Sequence, residues 1–382
     1  MTMATYTRLV GRIAAVIVLV SLGLTTAAAA DTVIDGRIGP GSLYRLFRPT
    51  SWNGRLLLYV HGVVGADAPV ALPAEGDLII SLAAAQGIAV AFSSFSSNGW
   101  DVKDGAQRSH QLLGIFTSKF GLPSRVYVAG TSMGGLIAIE LAETHPETFS
   151  GVLAACAVAG GTRRQFDYLG NTRVLFDFFY PGVLPGDAGD VPSNLDVTQE
   201  IALPAAAAIT ANPLNALAIA SVVQTPLPFA NPTELGQSLV TALIGHAGSF
   251  EDLIARTHGH SYFDNRSTEY AGVLPAPLLQ AINASVDRFD AAPDARQYLE
   301  HNYDPSGRLS MPMLMMSTTR DPVVPGFHQA AYEAAVAANG DADFLVHRRI
   351  TRYGHCNFTP LELSTAFTDL LLWAELGLKP TP

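Results

Sequence analysis

The run Val126-Tyr127-Val128-Ala129-Gly130-Thr131-Ser132-Met133-Gly134-Gly135 constrains this chain more than any other. An apolar, strand-type stretch passes at once through G-x-S-x-G into a helical pattern over residues 134–143. A serine presented at the top of a sheet sits on a turn so sharp that its own backbone is strained. Side chains two residues to either side would collide, and Gly130 and Gly134 remove them. The helix after the turn aims its first N–H groups back at Ser132, where they can hold developing negative charge. Ser132 is therefore the candidate nucleophile, the alternative being a glycine-rich turn with an idle serine.

The rest of the chain supplies the sheet that such a turn needs. Strand-type runs at 32–38, 42–48 and 55–60 are bounded by Gly and Pro turn signals. Helix 76–86, strand 88–95, helix 104–120, strand 125–129 and strand 149–158 follow in alternation. The alternation stops near residue 160 and resumes as strand 312–317, helix 326–338, strand 344–350 and a closing helix at 361–376. Between them lies a Pro-, Ala- and aromatic-rich region whose periodic pieces, 200–220, 233–244 and 278–289, are helical. The fold class is α/β, a mostly parallel sheet flanked by helices, with core segments 31–159 and 310–382. Residues 160–309 form a large, mainly helical lid inserted after the strand that follows the nucleophile helix.

A chain of 382 residues with 48% hydrophobic and 15% charged content can bury a large core without metals or disulfides. Residues 1–30 read separately: Arg8 and Arg12 flank a polar start, 13–24 is apolar but too short to cross a bilayer, and Ala28-Ala29-Ala30 suits cleavage. That is the pattern of a signal peptide, so the protein is expected to be secreted, to the periplasm or beyond; an uncleaved anchor is the alternative. Without these residues 21 basic side chains face 33 acidic ones, a charge of 21 − 33 = −12. An acidic surface argues against nucleic acid or anionic lipid as partner. No later apolar run reaches membrane length, so no stable membrane insertion of the mature chain is expected.

With the elbow in this context, the chain resembles the α/β-hydrolase superfamily over residues 32–378. The resemblance implies the chain order Ser, acid, His. A neutral serine needs a histidine to take its proton and a carboxylate to hold that histidine in the right tautomer. His355, in Tyr353-Gly354-His355-Cys356-Asn357 between the last strand and the closing helix, stands in the superfamily's place for the base. His347, inside the strand beside Arg348 and Arg349, is expected to face solvent from a sheet edge. Asp321, on the loop Arg320-Asp321-Pro322-Val323-Val324-Pro325, resembles the family's acid, though Asp before Pro also starts ordinary turns. Asp341 and Asp343 fall at the wrong end of the sheet. The oxyanion hole needs backbone N–H donors. Met133 offers one, and Val63 the other, in a His61-Gly62-Val63-Val64 run resembling the family's H-G-x, with Val64 as alternative and His61 bracing the loop.

Neighbouring residues keep two readings each. Asn98 and Trp100 follow a strand end, where they either meet substrate or form a turn and cover the core. Phe166 and Tyr168 begin an aromatic cluster, with Phe176, Phe178, Phe179 and Tyr180, that is either the lid's own core or an apolar substrate cleft. The chain has only two cysteines, Cys156 and Cys356. Secreted tannase- and feruloyl-esterase-like hydrolases bridge a Cys beside the base to one beside the nucleophile. Here Thr131 holds that second position, so the likeness is partial, and the cysteines are either bridged across the site or two buried thiols. His258-Gly259-His260 lacks matching ligands, and no metal is assigned. The expectation is a secreted serine hydrolase that cleaves carboxylic esters, small or polymeric, with no cofactor. An amidase, peptidase or acyltransferase with the same triad, and an inactive binding protein of this fold, are the alternatives.

Overall fold

Burial along the strands sorts edge from centre. The computed structural model describes residues 30–226 and 229–382, so nearly all of the signal-type segment lies outside the described residues. β1 (Thr32–Ile38) half-buries every second residue, as an edge strand should, and pairs antiparallel with β2 (Ser42–Arg48). β3 (Arg55–Val60), β4 (Ala89–Ser93), β5 (Arg125–Thr131) and β6 (Gly151–Ala155) are apolar runs covered on both faces. β7 (Met313–Arg320) and β8 (Leu345–Tyr353) complete an eight-stranded sheet in the order β1-β2-β4-β3-β5-β6-β7-β8. β3 to β8 all run parallel, so their carboxyl ends share one edge.

Helices cover both faces because both faces are apolar. α1 (Gly76–Ala84) and α11 (Pro360–Leu376) seal one face through Ala83, Phe367 and Leu370 against Tyr59, Tyr127 and Leu314. α2 (Val102–Phe120), α3 (Met133–Thr144) and α10 (Phe327–Asn339) seal the other. The insertion comprises α4 (Thr162–Phe179), a π-helical turn (Val197–Ala202), α5 (Leu203–Ala211), α6 (Pro213–Val223), α7 (Pro232–Arg256), α8 (Ala276–Ser285) and α9 (Pro293–His301). Its buried Phe176, Leu239 and Leu243 belong to the same apolar cluster as Val128 and Leu136 of the core, so the insertion packs against the core.

Two helices differ from their sequence patterns for local reasons. The stretch 200–220 is bent by 110° between α5 and α6, because Pro213 has no N–H to continue the ladder and holds Asn212 out of helical geometry. Conversely, α7 runs past Gly245 to Arg256, where the glycine is placed by packing: a Cβ there would press on Leu169 of α4. Among the described residues no single helix is long and apolar enough to cross a membrane.

Candidate active site

Ser132 joins β5 to α3 with φ 56° and ψ −122°, a conformation costing an L-residue about 1–3 kcal/mol. Its N–H donates to the Ala155 carbonyl at 3.0 Å, and its own carbonyl accepts from Gly135 at 3.0 Å. A Cβ on Gly130 would be driven into the Gly134 carbonyl, and one on Gly134 into the carbonyls of Val60 and His61. Gly130 is thus required by the tightness of the elbow itself, and Gly134 by the close approach of the end of β3 to the elbow. That approach places Gly62 beside the serine, its missing Cβ only 3.2 Å from Ser132 Cβ.

The candidate base, His355, reaches Ser132 from far across the sheet. β8 lies three strands from β5, roughly 14 Å at ordinary strand spacing, so the loop after it must fold back over β7 and β6. Gly354 makes that turn at φ 109°; its N–H donates to the Arg320 carbonyl at 3.0 Å and its carbonyl accepts from Thr318 Oγ1 at 2.6 Å. A disulfide then joins Cys356 to Cys156, just beyond β6, with Cα atoms 5.2 Å apart. The bridge therefore lands one strand away from the elbow instead of beside it. Held this way, His355 Nε2 lies 2.8 Å from Ser132 Oγ and Nδ1 lies 2.7 Å from Asp321 Oδ2.

Asp321, at the end of β7, is 1% exposed, and its second oxygen accepts N–H bonds from Val323 and Val324 at 2.9 Å each. An ionised carboxylate only accepts, so His355 carries its proton on Nδ1 and leaves the Nε2 lone pair facing the Ser132 hydroxyl. The cap fixes the acid loop from above. Gln165 Nε2 donates to the Val323 carbonyl at 3.1 Å, Tyr168 O–H to the Pro322 carbonyl at 3.3 Å, and Arg320 Nε to Glu234 of α7 at 3.0 Å. Sequence reasoning did not find Gln165, Glu234 or Arg320 for this role, because contacts between separate helices and loops leave no local pattern.

The oxyanion candidates fall on either side of Ser132. Met133 opens α3, where the first-turn N–H groups have no helical acceptor, and Val63 follows Gly62 on an exposed loop. That loop is anchored where Gly99 N–H donates to the Val64 carbonyl at 2.9 Å and Asn98 Nδ2 to the Ala68 carbonyl at 2.7 Å. Asn98 also lines a cavity of about 370 Å³ with Gly62 and Thr131. His61 braces the loop as expected: it is buried, stacks on Phe95 at 3.9 Å and bonds the Gly62 carbonyl at 2.6 Å, and burial holds its pKa below the usual value.

Several expectations change. Of their two readings, Trp100 and Phe166 take the packing one: they meet edge to face at 4.9 Å inside the seam between cap and core, the indole N–H bonded to Thr162 at 3.0 Å. Tyr168 is buried and supports the acid loop, though it also borders a cavity of about 640 Å³ beside Arg164 and Phe327 that includes none of Ser132, Asp321 and His355. His347 does not face solvent: it is buried between Ser317 Oγ at 2.7 Å and Glu333 Oε1 at 2.8 Å, covered by α10, which the strand pattern could not reveal. His260 pairs with Asp294 at 2.6 Å and does not converge with His258 on further ligands. Among the described residues the tight group with metal-ligand atoms is Cys156, His355 and Cys356, whose sulfurs are bridged to each other.

Architecture of this kind has known counterparts. An esterase of Pyrococcus furiosus aligns over 89% of this chain and 90% of its own, with 12% identity and a TM-score of 0.44. Feruloyl esterase B of Aspergillus oryzae aligns over 92% and 81%, with 14% identity and a TM-score of 0.47. A proline iminopeptidase of Mycobacterium smegmatis aligns over 91% and 99%, with 13% identity and a TM-score of 0.45. No curated protein matches the sequence significantly. The family profile described as "alpha/beta hydrolase fold" matches residues 113–357, a span holding the elbow, the acid loop and the His355 loop, and the chain accordingly belongs to the α/β-hydrolase family.

Proposed function

We propose that this protein is an exported serine hydrolase that cleaves carboxylic esters through Ser132, His355 and Asp321. One observation carries the reading: an unbroken line of hydrogen bonds runs from buried Asp321 through His355 to a serine on a strained elbow. His355 Nε2 takes the Ser132 proton as Oγ attacks the ester carbonyl, and Asp321 stabilises the imidazolium. The N–H groups of Met133 and Val63 receive the oxyanion. His355 returns the proton to the leaving alcohol, and water repeats the sequence on the acyl-enzyme. No step calls for a cofactor. Export is supported by the residue pattern at 1–30 and suits a chain whose base loop is tied by a disulfide.

A fluorophosphonate probe should label the wild-type protein covalently and leave Ser132→Ala unlabelled. Absence of labelling in both would return the chain to the binding-protein reading. Short-chain aryl esters should be hydrolysed much faster than the matched anilides; equal rates would point to an amidase instead.

A further inference from the structure

The cavity of about 370 Å³ beside Gly62 is bounded by the loop that presents Val63 and by Thr131, the residue before the nucleophile. Val64, Pro69, Ala71 and Leu72 give it apolar walls beside His61 and Asn98, and it contains no residue of the Asp321 or His355 loops; Ser132 is not itself in the wall but adjoins it through Gly62, whose Cβ position lies 3.2 Å from Ser132 Cβ. The leaving oxygen of an ester must lie within reach of His355 Nε2, which returns its proton. A space bounded by the oxyanion loop and free of the base loop is therefore on the acyl side.

One charged group, Glu75, interrupts this apolar lining. Its Oε1 accepts the Tyr59 O–H at 2.7 Å, which leaves the Thr131 hydroxyl to donate to Tyr59 at 3.3 Å. Among the described residues no arginine, lysine or backbone N–H pairs with the carboxylate, and Oε2 carries no hydrogen bond. Glu75 is half-buried at the start of α1. An apolar pocket with a free acceptor favours a ligand whose far end donates a hydrogen bond, and it repels a second carboxylate.

Building on the ester-hydrolase reading, we infer that this cavity is the acyl subsite and that Glu75 sets its specificity, selecting an uncharged apolar acyl group tipped with a hydroxyl or amine and rejecting anionic ones. Three nitrophenyl esters test this: phenylpropanoate, its para-hydroxy analogue and its para-carboxy analogue. Wild type should prefer the hydroxy ester over the plain one by roughly tenfold in kcat/KM, the worth of one charge-assisted hydrogen bond, and barely turn over the carboxy ester. Glu75→Gln should shrink the hydroxy preference severalfold and raise turnover of the carboxy ester. Ala71→Trp, which fills the cavity, should lower kcat/KM for all three far more than for the acetate ester. If Glu75→Gln scales all three esters equally, Glu75 only braces Tyr59 and the specificity role is overturned. If Ala71→Trp scales aryl and acetate esters equally, the acyl group lies elsewhere. Hydrolysis that survives with either result overturns this subsite alone, whereas absence of hydrolysis of every ester overturns the proposed function as well.

Discussion

Two hydrogen bonds at His355 determine what Ser132 can do, and each depends on which atom holds the proton. Asp321→Asn preserves shape and can still accept the Val323 and Val324 N–H groups, but its amide would donate towards Nδ1 and drive the proton to Nε2. Turnover is expected to fall by about 10⁴ with the melting temperature nearly unchanged, measured by kcat alongside thermal unfolding. Gly134→Ala should act differently, by forcing a methyl group into the Val60 carbonyl. Loss of soluble protein or a large drop in melting temperature is expected, and a folded, active variant would refute the crowding. These residues were legible in sequence because the chemistry imposes local spacing: G-x-S-x-G, an acid after one strand, a histidine after the next. Glu75 and Gln165 were not legible, since each acts through a partner far away in the chain, Tyr59 and Val323 respectively.

Among the elements, the loop after β8 carries the greatest structural burden, because it must bring a side chain back across the sheet. Replacing both Cys156 and Cys356 with Ser removes a link spanning 200 residues, worth roughly 5 kcal/mol on a chain-entropy basis. Denaturant unfolding should show a loss of that order or smaller, and kcat should fall more than KM rises, because the change slackens the base and not the acyl pocket. The cap contributes to the same geometry from the opposite side. Gln165→Leu should reduce kcat severalfold by freeing the Val323 carbonyl, the effect of one lost buried hydrogen bond. The strands near the site followed from hydrophobic runs and turn residues. The cap's course did not: α4 hides its helical period among aromatics buried on several sides, and the break at Asn212-Pro213 was visible only as a proline within an otherwise helical pattern.

For the molecule as a whole, acidity acts through groups remote from Ser132. Glu140 on α3 has a carboxyl pushed up to about 8 by burial, partly offset by Lys103 and reinforced by Glu143. Its folded value exceeds the ordinary 4.5, so the unfolded chain ionises first as pH rises. Stability is therefore lost across that window, by about 1.4 kcal/mol per pH unit at most. Glu140→Gln should remove this slope, with urea midpoints matching wild type at about pH 5 and exceeding it at about pH 8. Equal midpoints at both would show that Glu140 ionises freely in the folded protein. Buried His246 and His328, held down to about 4 and about 3 by desolvation, work in the other direction: they cost stability as pH falls below the ordinary 6.5.

The distance between the nucleophile and its base also has a consequence in time. Ser132 leaves the ribosome 223 residues before His355, and the sulfur that anchors the base loop follows directly after it. The elbow can be complete while no group exists to deprotonate it, and the bridge cannot close until Cys356 has been made as well. A growing chain is thereby a hydrolase in outline only. Synthesis order alone acts as its safety catch.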